Sequence, residues 1–463
     1  MSETTYDAVV VGAGMSGLAA GIRLAQFDYN VCILERHSAI GGLNSFYRRN
    51  GRNYDVGLHA VTNYAPKGTK SGPLSRILRH LRISWDDFGL VQQNGSTIAF
   101  PGVELNFTND FERFETDVAE KFPKQIDGFR KMVSGLVGYD QLGLGSADGS
   151  AREYVAQFIS DPKLVDMIFC PVCYYGGARE HDMDFGQFCV MFRSLFLEGF
   201  ARPHEGVRRI LLKLLKRFRS LGGVLRLNAG VKRIESNADE SVEKIILDNG
   251  EEIRAKRYLS SAGWPETMKL CGMGSAVDQR DIGKLGFIET ISVLDKAPKE
   301  LGHDKTIVFF NDSERFAYRN PDALVDLSSG VICSPNNFAY SQPLEDSMIR
   351  ITALANYDLW RKLSPDEYKR EKLRFYEKTL ESAARFVPEF RRNIIDVDMF
   401  TPLTIERYTG RERGAIYGAA QKRYDGLTPL KNLFICGADQ GMLGVVGALV
   451  SGLTIANKYV LSE

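Results

Sequence analysis

The chain has 463 residues, 59 of them basic and 58 acidic, for a formal net charge of +1. Apolar residues make up 44% and charged residues 25%, a globular mixture that excludes a disordered chain, a collagen-like repeat and a disulfide-dense miniprotein. The length suits two or three structural units at roughly 100–200 residues each, and the cancelled charge provides no global field toward nucleic acid or anionic lipid.

The first residues carry neither a basic n-region nor an apolar h-region, so no signal peptide is expected. No run of about 18 or more apolar residues predicts a membrane span. The seven cysteines are odd in number and scattered, as expected of reduced cytoplasmic thiols. Cys170-Pro171-Val172-Cys173 has the spacing of a redox pair or half a zinc site. No second ligand pair follows it, and it is read as buried and apolar, with no metal expected.

Tyr6–Val11 reads as a buried parallel strand. It runs into Gly12-Ala13-Gly14-Met15-Ser16-Gly17, then into a helical pattern, a second strand Val31–Leu34, and Glu35. Each part suits a dinucleotide. Gly12 permits the tight turn, Gly14 lets the backbone approach a pyrophosphate, and Gly17 lets the helix pack on the strand. The helix N-terminus offers free N–H groups, and Glu35 stands where an acid accepts hydrogen bonds from a ribose.

Glu35-Arg36 is followed by the pair Gly41-Gly42, then Leu43-Asn44, and by Asp55-Val56-Gly57-Leu58-His59. This extension resembles the phytoene desaturase, carotenoid isomerase and retinol saturase branch of the flavin amine oxidase superfamily. One departure is Leu43-Asn44, where many members carry Arg or Lys. The resemblance implies bound FAD, with Arg36, Gly41, Gly42, Leu43, Asn44, Leu58 and His59 among the residues contacting it.

Further along, Pro203–Ser220 reads as a basic amphipathic helix with Val207, Ile210, Leu211, Leu214, Leu215 and Phe218 on one face. Its cationic outer face is read as solvated, with a weak membrane-phosphate contact as the alternative. Gly222-Gly223 ends it. Strands over Val224–Leu227, Val231–Glu235, Val242–Leu247 and Glu252–Ser260 follow, with Asp248-Asn249-Gly250 as a hairpin turn. In the family this arrangement completes the FAD domain, Val231 offering its backbone to the adenine and Ser260–Gly263 returning to the cofactor edge.

Residues 64–200 read as mostly helical, with Gly- and Ser-rich loops near 138–150. The stretch Phe185, Phe188, Cys189, Met191, Phe192, Leu195, Phe196 fits one helix face, either a core helix or the wall of a lipid-sized pocket. Strands are expected at Gly286–Val293, Thr306–Phe310, Gly330–Ser334 and Met348–Ala355, and a helix from Ser364-Pro365 to about Phe386.

Asn432–Asp439 again runs a buried strand into a glycine turn and a helix. By resemblance this segment returns to the first unit, with Gly437 and Asp439 at the ribitol–phosphate end and Gly444-Val445 at the helix start near the flavin. Small residues would let that helix approach the ring, which accounts for the uncharged run Gln440–Asn457. Upstream, Gly414–Gly418 resembles the segment that precedes this return in carotenoid desaturases.

The expected fold is therefore α/β: a discontinuous Rossmann-type FAD-binding domain over 1–63, 202–283 and 400–463, with an inserted α+β substrate domain over 64–201 and 284–399. The resemblance implies hydride transfer at flavin N5, by a desaturase, saturase or isomerase acting on a long apolar isoprenoid, carotenoid or acyl-lipid substrate. His59 and Tyr417 are the candidate catalytic residues: His59 can polarise the flavin or move a proton, or simply bond a loop backbone, and Tyr417 has the same ambiguity. An apolar substrate implies a cytoplasmic enzyme that visits membranes peripherally. An amine oxidase, which would need an aromatic cage at the flavin, and a non-catalytic flavoprotein scaffold are the alternatives.

Overall fold

The computed structural model describes residues 5–57, 59–139 and 149–462; Leu58 and most of the Gly- and Ser-rich stretch near 138–150 lie outside them. Two sheets organise the chain. In the first, β1 (Thr5–Val11) lies between β2 (Val31–Leu34) and Glu252–Ser260, parallel to both. Val224–Arg226 extends it beyond β2, and Leu433–Ile435 joins Glu252–Ser260 in parallel on the other side. The antiparallel meander Val231–Ser236, Val242–Leu247 and Glu252–Ser260 leaves the same edge. Every strand of this sheet falls within 1–63, 202–283 or 400–463.

The first helix, α1 (Met15–Ala25), buries all its residues but Arg23. It is clamped between the sheet and the C-terminal helix Gly444–Tyr459. A Cβ on Gly452 would overlap the carbonyl oxygen of Ser16. Part of the small-residue composition of Gln440–Asn457 thus serves a close helix–helix crossing.

The second sheet orders Ile394–Phe400, Gly286–Leu294, Ser347–Ala355, Ser329–Cys333, Ile307–Asn311, Ser96–Phe100 and Val103–Phe107. The last two form a hairpin that the mostly helical reading of 64–200 did not expect. Ser96–Phe100 is buried throughout, so it shows no polar alternation to reveal it. A second unexpected hairpin, Phe46–Arg49 with Arg52–Asp55, turns at Asn50-Gly51, both at positive φ, and Asn-Gly is itself a hairpin signal.

The helix Pro365–Ala383 starts in a capping box between Ser364 and Glu367 and ends three residues before Phe386. The helix Val207–Ser220 begins later than expected, because Asp55 accepts the Val207 N–H at 3.1 Å and fixes its first turn. Phe188, Phe192 and Phe196 pack in the core, Phe196 stacked on Phe114 at 4.5 Å. Cys170 and Cys173 are fully buried, and burial pushes both thiols up. No helix among the described residues is long and apolar enough to cross a membrane.

Candidate functional site

A single cavity of about 950 Å³ runs from the turn after β1, past the end of β2, to the second sheet. Its volume is at the upper end of the range for ligand pockets. At one end the backbone is organised around glycine. Gly12 has φ +97°, and a Cβ on Gly17 would overlap the Gly12 carbonyl oxygen, so neither position accepts a side chain. Gly14 differs, because a Cβ there would come no closer than 4.0 Å to any neighbour and would project into the cavity. Gly14 and Gly42 face one another across this cradle, tied by the Gly41 N–H donating to the Ala13 carbonyl at 2.9 Å.

Glu35 is buried at the rim. Its two carboxylate oxygens accept the Ala13 and His37 N–H groups, each at 2.9 Å, so the carboxylate shapes the turn and still faces the cavity. Leu43 and Asn44 line the wall, and cations reach it from elsewhere, among them Arg36, whose guanidinium also donates to the Arg407 carbonyl at 2.6 Å, and Arg48. A cradle of backbone N–H groups, open space where a Cβ would sit, a rim carboxylate and flanking guanidiniums fit the diphosphate and ribose of a dinucleotide.

The C-terminal return closes the middle of the cavity with Gly437, Leu443, Gly444 and Val445, so the N-terminus of the last helix opens onto it. Asp439 is not on that wall. Its carboxylate is paired with both terminal nitrogens of Arg411 at 3.1 and 3.2 Å and accepts the Trp264 and Ala419 N–H groups at 2.7 and 2.9 Å. Burial raises its pKa, but Arg411, Lys422 and these bonds outweigh that and hold it at about 2. A Cβ on Gly263 or Gly418 would strike this pair, which explains those glycines without a ligand.

At the far end stand Tyr174, Tyr175, Phe287, Ile288, Val331 and Ile416. Phe287 meets the Tyr417 ring edge-on at 6.0 Å. The Tyr417 hydroxyl donates to the Tyr174 carbonyl and burial pushes its pKa up, so Tyr417 serves this wall as a fixed apolar ring. The polar groups there are His59, Glu289 and Thr352: His59 Nε2 lies 3.1 Å from Thr352 Oγ1 and 3.3 Å from Glu289 Oε2. Glu289 is ion-paired with buried Arg350. Burial pushes Glu289 up, and Arg350 with His59 brings it below the usual carboxylate range.

Gly12, Gly14, Met15, Ser16, Glu35, Arg36, Gly41, Gly42, Leu43, Asn44, His59, Val231, Tyr417, Gly437, Gly444 and Val445 all line this one cavity. Ala13 and Gly17 lie beneath its floor, Asp439 lies behind its wall, and Leu58 is outside the described residues. Sequence reasoning missed Tyr174, Tyr175, Phe287, Glu289, Thr352, Arg350 and Arg411. Only Glu289 left a signal, as a lone acid within the apolar run Phe287–Val293.

A family model described as flavin containing amine oxidoreductase matches residues 15–458. The all-trans-retinol 13,14-reductase of Danio rerio is 24% identical over 97% of this chain and 85% of its own length. The 4,4'-diaponeurosporene oxygenase of Staphylococcus aureus is 22% identical over 99% of both chains. Among solved structures, an oxidoreductase from Methanosarcina mazei superposes with TM-score 0.68 at 16% identity, covering 98% of this chain and 100% of that one. A putrescine oxidase variant superposes with TM-score 0.66 at 16% identity over 100% of both. The two curated relatives match the branch that the glycine and acid motifs resemble, and the solved structures share the fold. The chain belongs to the flavin-containing amine oxidoreductase family and is an FAD-dependent oxidoreductase.

Proposed function

We propose that this enzyme adds, removes or relocates hydrogens at C–C and C=C bonds of a long apolar isoprenoid, carotenoid or acyl-lipid substrate. The observation that carries this reading is the far end of the cavity, where apolar and aromatic walls surround one small polar cluster of His59, Glu289 and Thr352. A polyene needs a dry slot and alignment, which these walls supply. The two named relatives act on a retinoid and a carotenoid, in keeping with this class.

In this reading the segments 1–63, 202–283 and 400–463 form the FAD unit, and 64–201 with 284–399 the substrate unit. Gly12–Gly17 and Gly41–Asn44 hold the diphosphate, Glu35 and Arg36 the ribose side, Val231 the adenine, and Gly437, Gly444 and Val445 the flavin end. Bound FAD supplies the two-electron acceptor or donor. The residues around it exclude water and orient the chain of the substrate, and His59 handles the proton. The test is to add all-trans-retinol, a carotenoid polyene and a panel of amines to the FAD-loaded protein. Conversion of a polyene with matching bleaching or recovery of the flavin spectrum is expected. Peroxide from amines with no polyene turnover would overturn the reading.

Peripheral membrane contact belongs to the same proposal, because the substrate resides in lipid. It is supported by Lys216 and Arg219 on the outer face of Val207–Ser220, beside exposed Leu212. Near that helix, Arg23, Arg76 and Arg79 crowd His80, whose pKa is lowered by burial and then by these cations. Flotation with anionic phospholipid vesicles at low salt, weakening as salt rises, is the expected result. No flotation with any vesicle composition would exclude the contact.

A further inference from the structure

We infer that Glu289 is the positioning residue of the reacting end, holding the His59 imidazole in one tautomer with its proton on Nε2, so that Nδ1 is the nitrogen that exchanges a proton with the substrate. The inference rests on the reading that His59 faces substrate beside bound FAD.

The sheet register sets the arrangement. Glu289 lies directly opposite Thr352 on the antiparallel neighbour strand, and Arg350 stands two residues along on the same face. His59 Nε2 approaches both Glu289 Oε2 and Thr352 Oγ1, while Nδ1 has no hydrogen-bond partner among the described residues. Glu289 divides its oxygens: Oε1 takes the Arg350 guanidinium and Oε2 turns to the imidazole. Arg350 also donates to the carbonyls of Asp55 and Val56, each at 3.0 Å. One guanidinium therefore fixes both the carboxylate and the segment that presents His59.

A salt bridge needed only for stability would not require this. A buried ion pair is a weak source of stability compared with apolar packing, and Arg350 could be held by the two backbone carbonyls and Oε1 alone. The second carboxylate oxygen is directed at a ring nitrogen, as an acid is when it selects a histidine tautomer for proton transfer. The balance of the reaction requires such a group. Converting a C–C bond to C=C would release a hydride, whose two electrons bound FAD would accept, and a proton, which passes to Nδ1. In the saturating direction bound FAD would supply the hydride to one carbon, and the neighbouring carbon takes the proton from Nδ1–H. In both, the imidazolium formed or consumed is balanced by the carboxylate of Glu289.

The test uses 15N-histidine-labelled, FAD-loaded protein at alkaline pH, with His59 assigned by the loss of its signals in His59→Gln. The wild type should show the Nε2–H tautomer. In Glu289→Gln the tautomer preference should fall about tenfold, the difference between a charged and a neutral acceptor. The kcat for a polyene should fall about a hundredfold with KM little changed, and Glu289→Asp should recover part of both. Should Glu289→Gln misfold, Glu289→Leu with Arg350→Met replaces the pair by apolar side chains and should lose the same bias. An unbiased tautomer in the flavin-loaded wild type, or an unchanged tautomer in either variant, overturns the role of Glu289 and leaves the FAD reading standing. A wild type that holds no flavin or converts no polyene overturns the functional reading instead, and the tautomer measurement still decides Glu289.

Discussion

Gly17→Ala is expected to yield protein without flavin and with a much lower melting temperature. The added Cβ would overlap the Gly12 carbonyl oxygen, and that atom is backbone, held by a turn at φ +97° beside Ser261. The helix α1 must then back away from β1. It cannot do so freely, because its other side is locked to the C-terminal helix at Gly452. Overpacking of this kind costs about 1–3 kcal/mol or more, and the displaced helix start no longer aims its N–H groups at the diphosphate. Gly14→Ala is the control. Its Cβ meets only open cavity, so the apo fold should keep its melting temperature while FAD affinity falls about tenfold or more, a loss of about 1.4 kcal/mol or more. Flavin occupancy from the visible spectrum and calorimetry on apo protein separate the two effects. Equal melting temperatures for wild type and Gly17→Ala would refute the packing account.

Asp439→Asn is expected to destabilise the protein by about 3–5 kcal/mol at neutral pH, because it leaves the buried Arg411 guanidinium without its main counter-charge. The same residue predicts a distinctive acid limb. The folded-state pKa of Asp439 is about 2, below an unfolded value of about 3.9. A depressed carboxylate contributes stability above its unfolded pKa and loses it as pH falls through the folded value. The wild type should therefore lose about 2 kcal/mol between about pH 4 and pH 2 from this group. The variant, already without the contribution, should show a flatter profile there. Denaturant melts at a series of acidic pH values measure it, and parallel profiles for the two proteins would show that the pair contributes nothing specific.

These cases show where the chain was legible. The strand–glycine–helix–strand–acid order could be read because every part is local: a turn requiring positive φ, an apolar strand and a rim acid lie within a short stretch of chain. The meander after Gly222-Gly223 and the helix start at Ser364-Pro365 were legible for the same reason. The hairpin Ser96–Phe107 was not: Ser96–Phe100 is buried on both faces and has no period-2 alternation, and the alternating Val103–Phe107 had no recognisable partner beside it. Asp439 shows the limit of resemblance. The segment was placed at the cofactor, but its acid is used by Arg411, more than twenty residues upstream in sequence and adjacent only in the fold.

By itself the sequence determined the glycine-built turn after the first strand, because such a turn depends on backbone conformation and glycine is written directly in the chain. Only the tertiary structure decided the reacting end. Glu289, Thr352 and Arg350 come from two strands, and His59 from a segment more than two hundred residues away, and a sheet register brings them within hydrogen-bond reach. Tyr417 likewise looked as free as His59 until the fold placed its hydroxyl on the Tyr174 carbonyl. Local conformation is encoded residue by residue, whereas the partner that sets the charge and tautomer of a buried side chain is chosen by strands that meet only on folding.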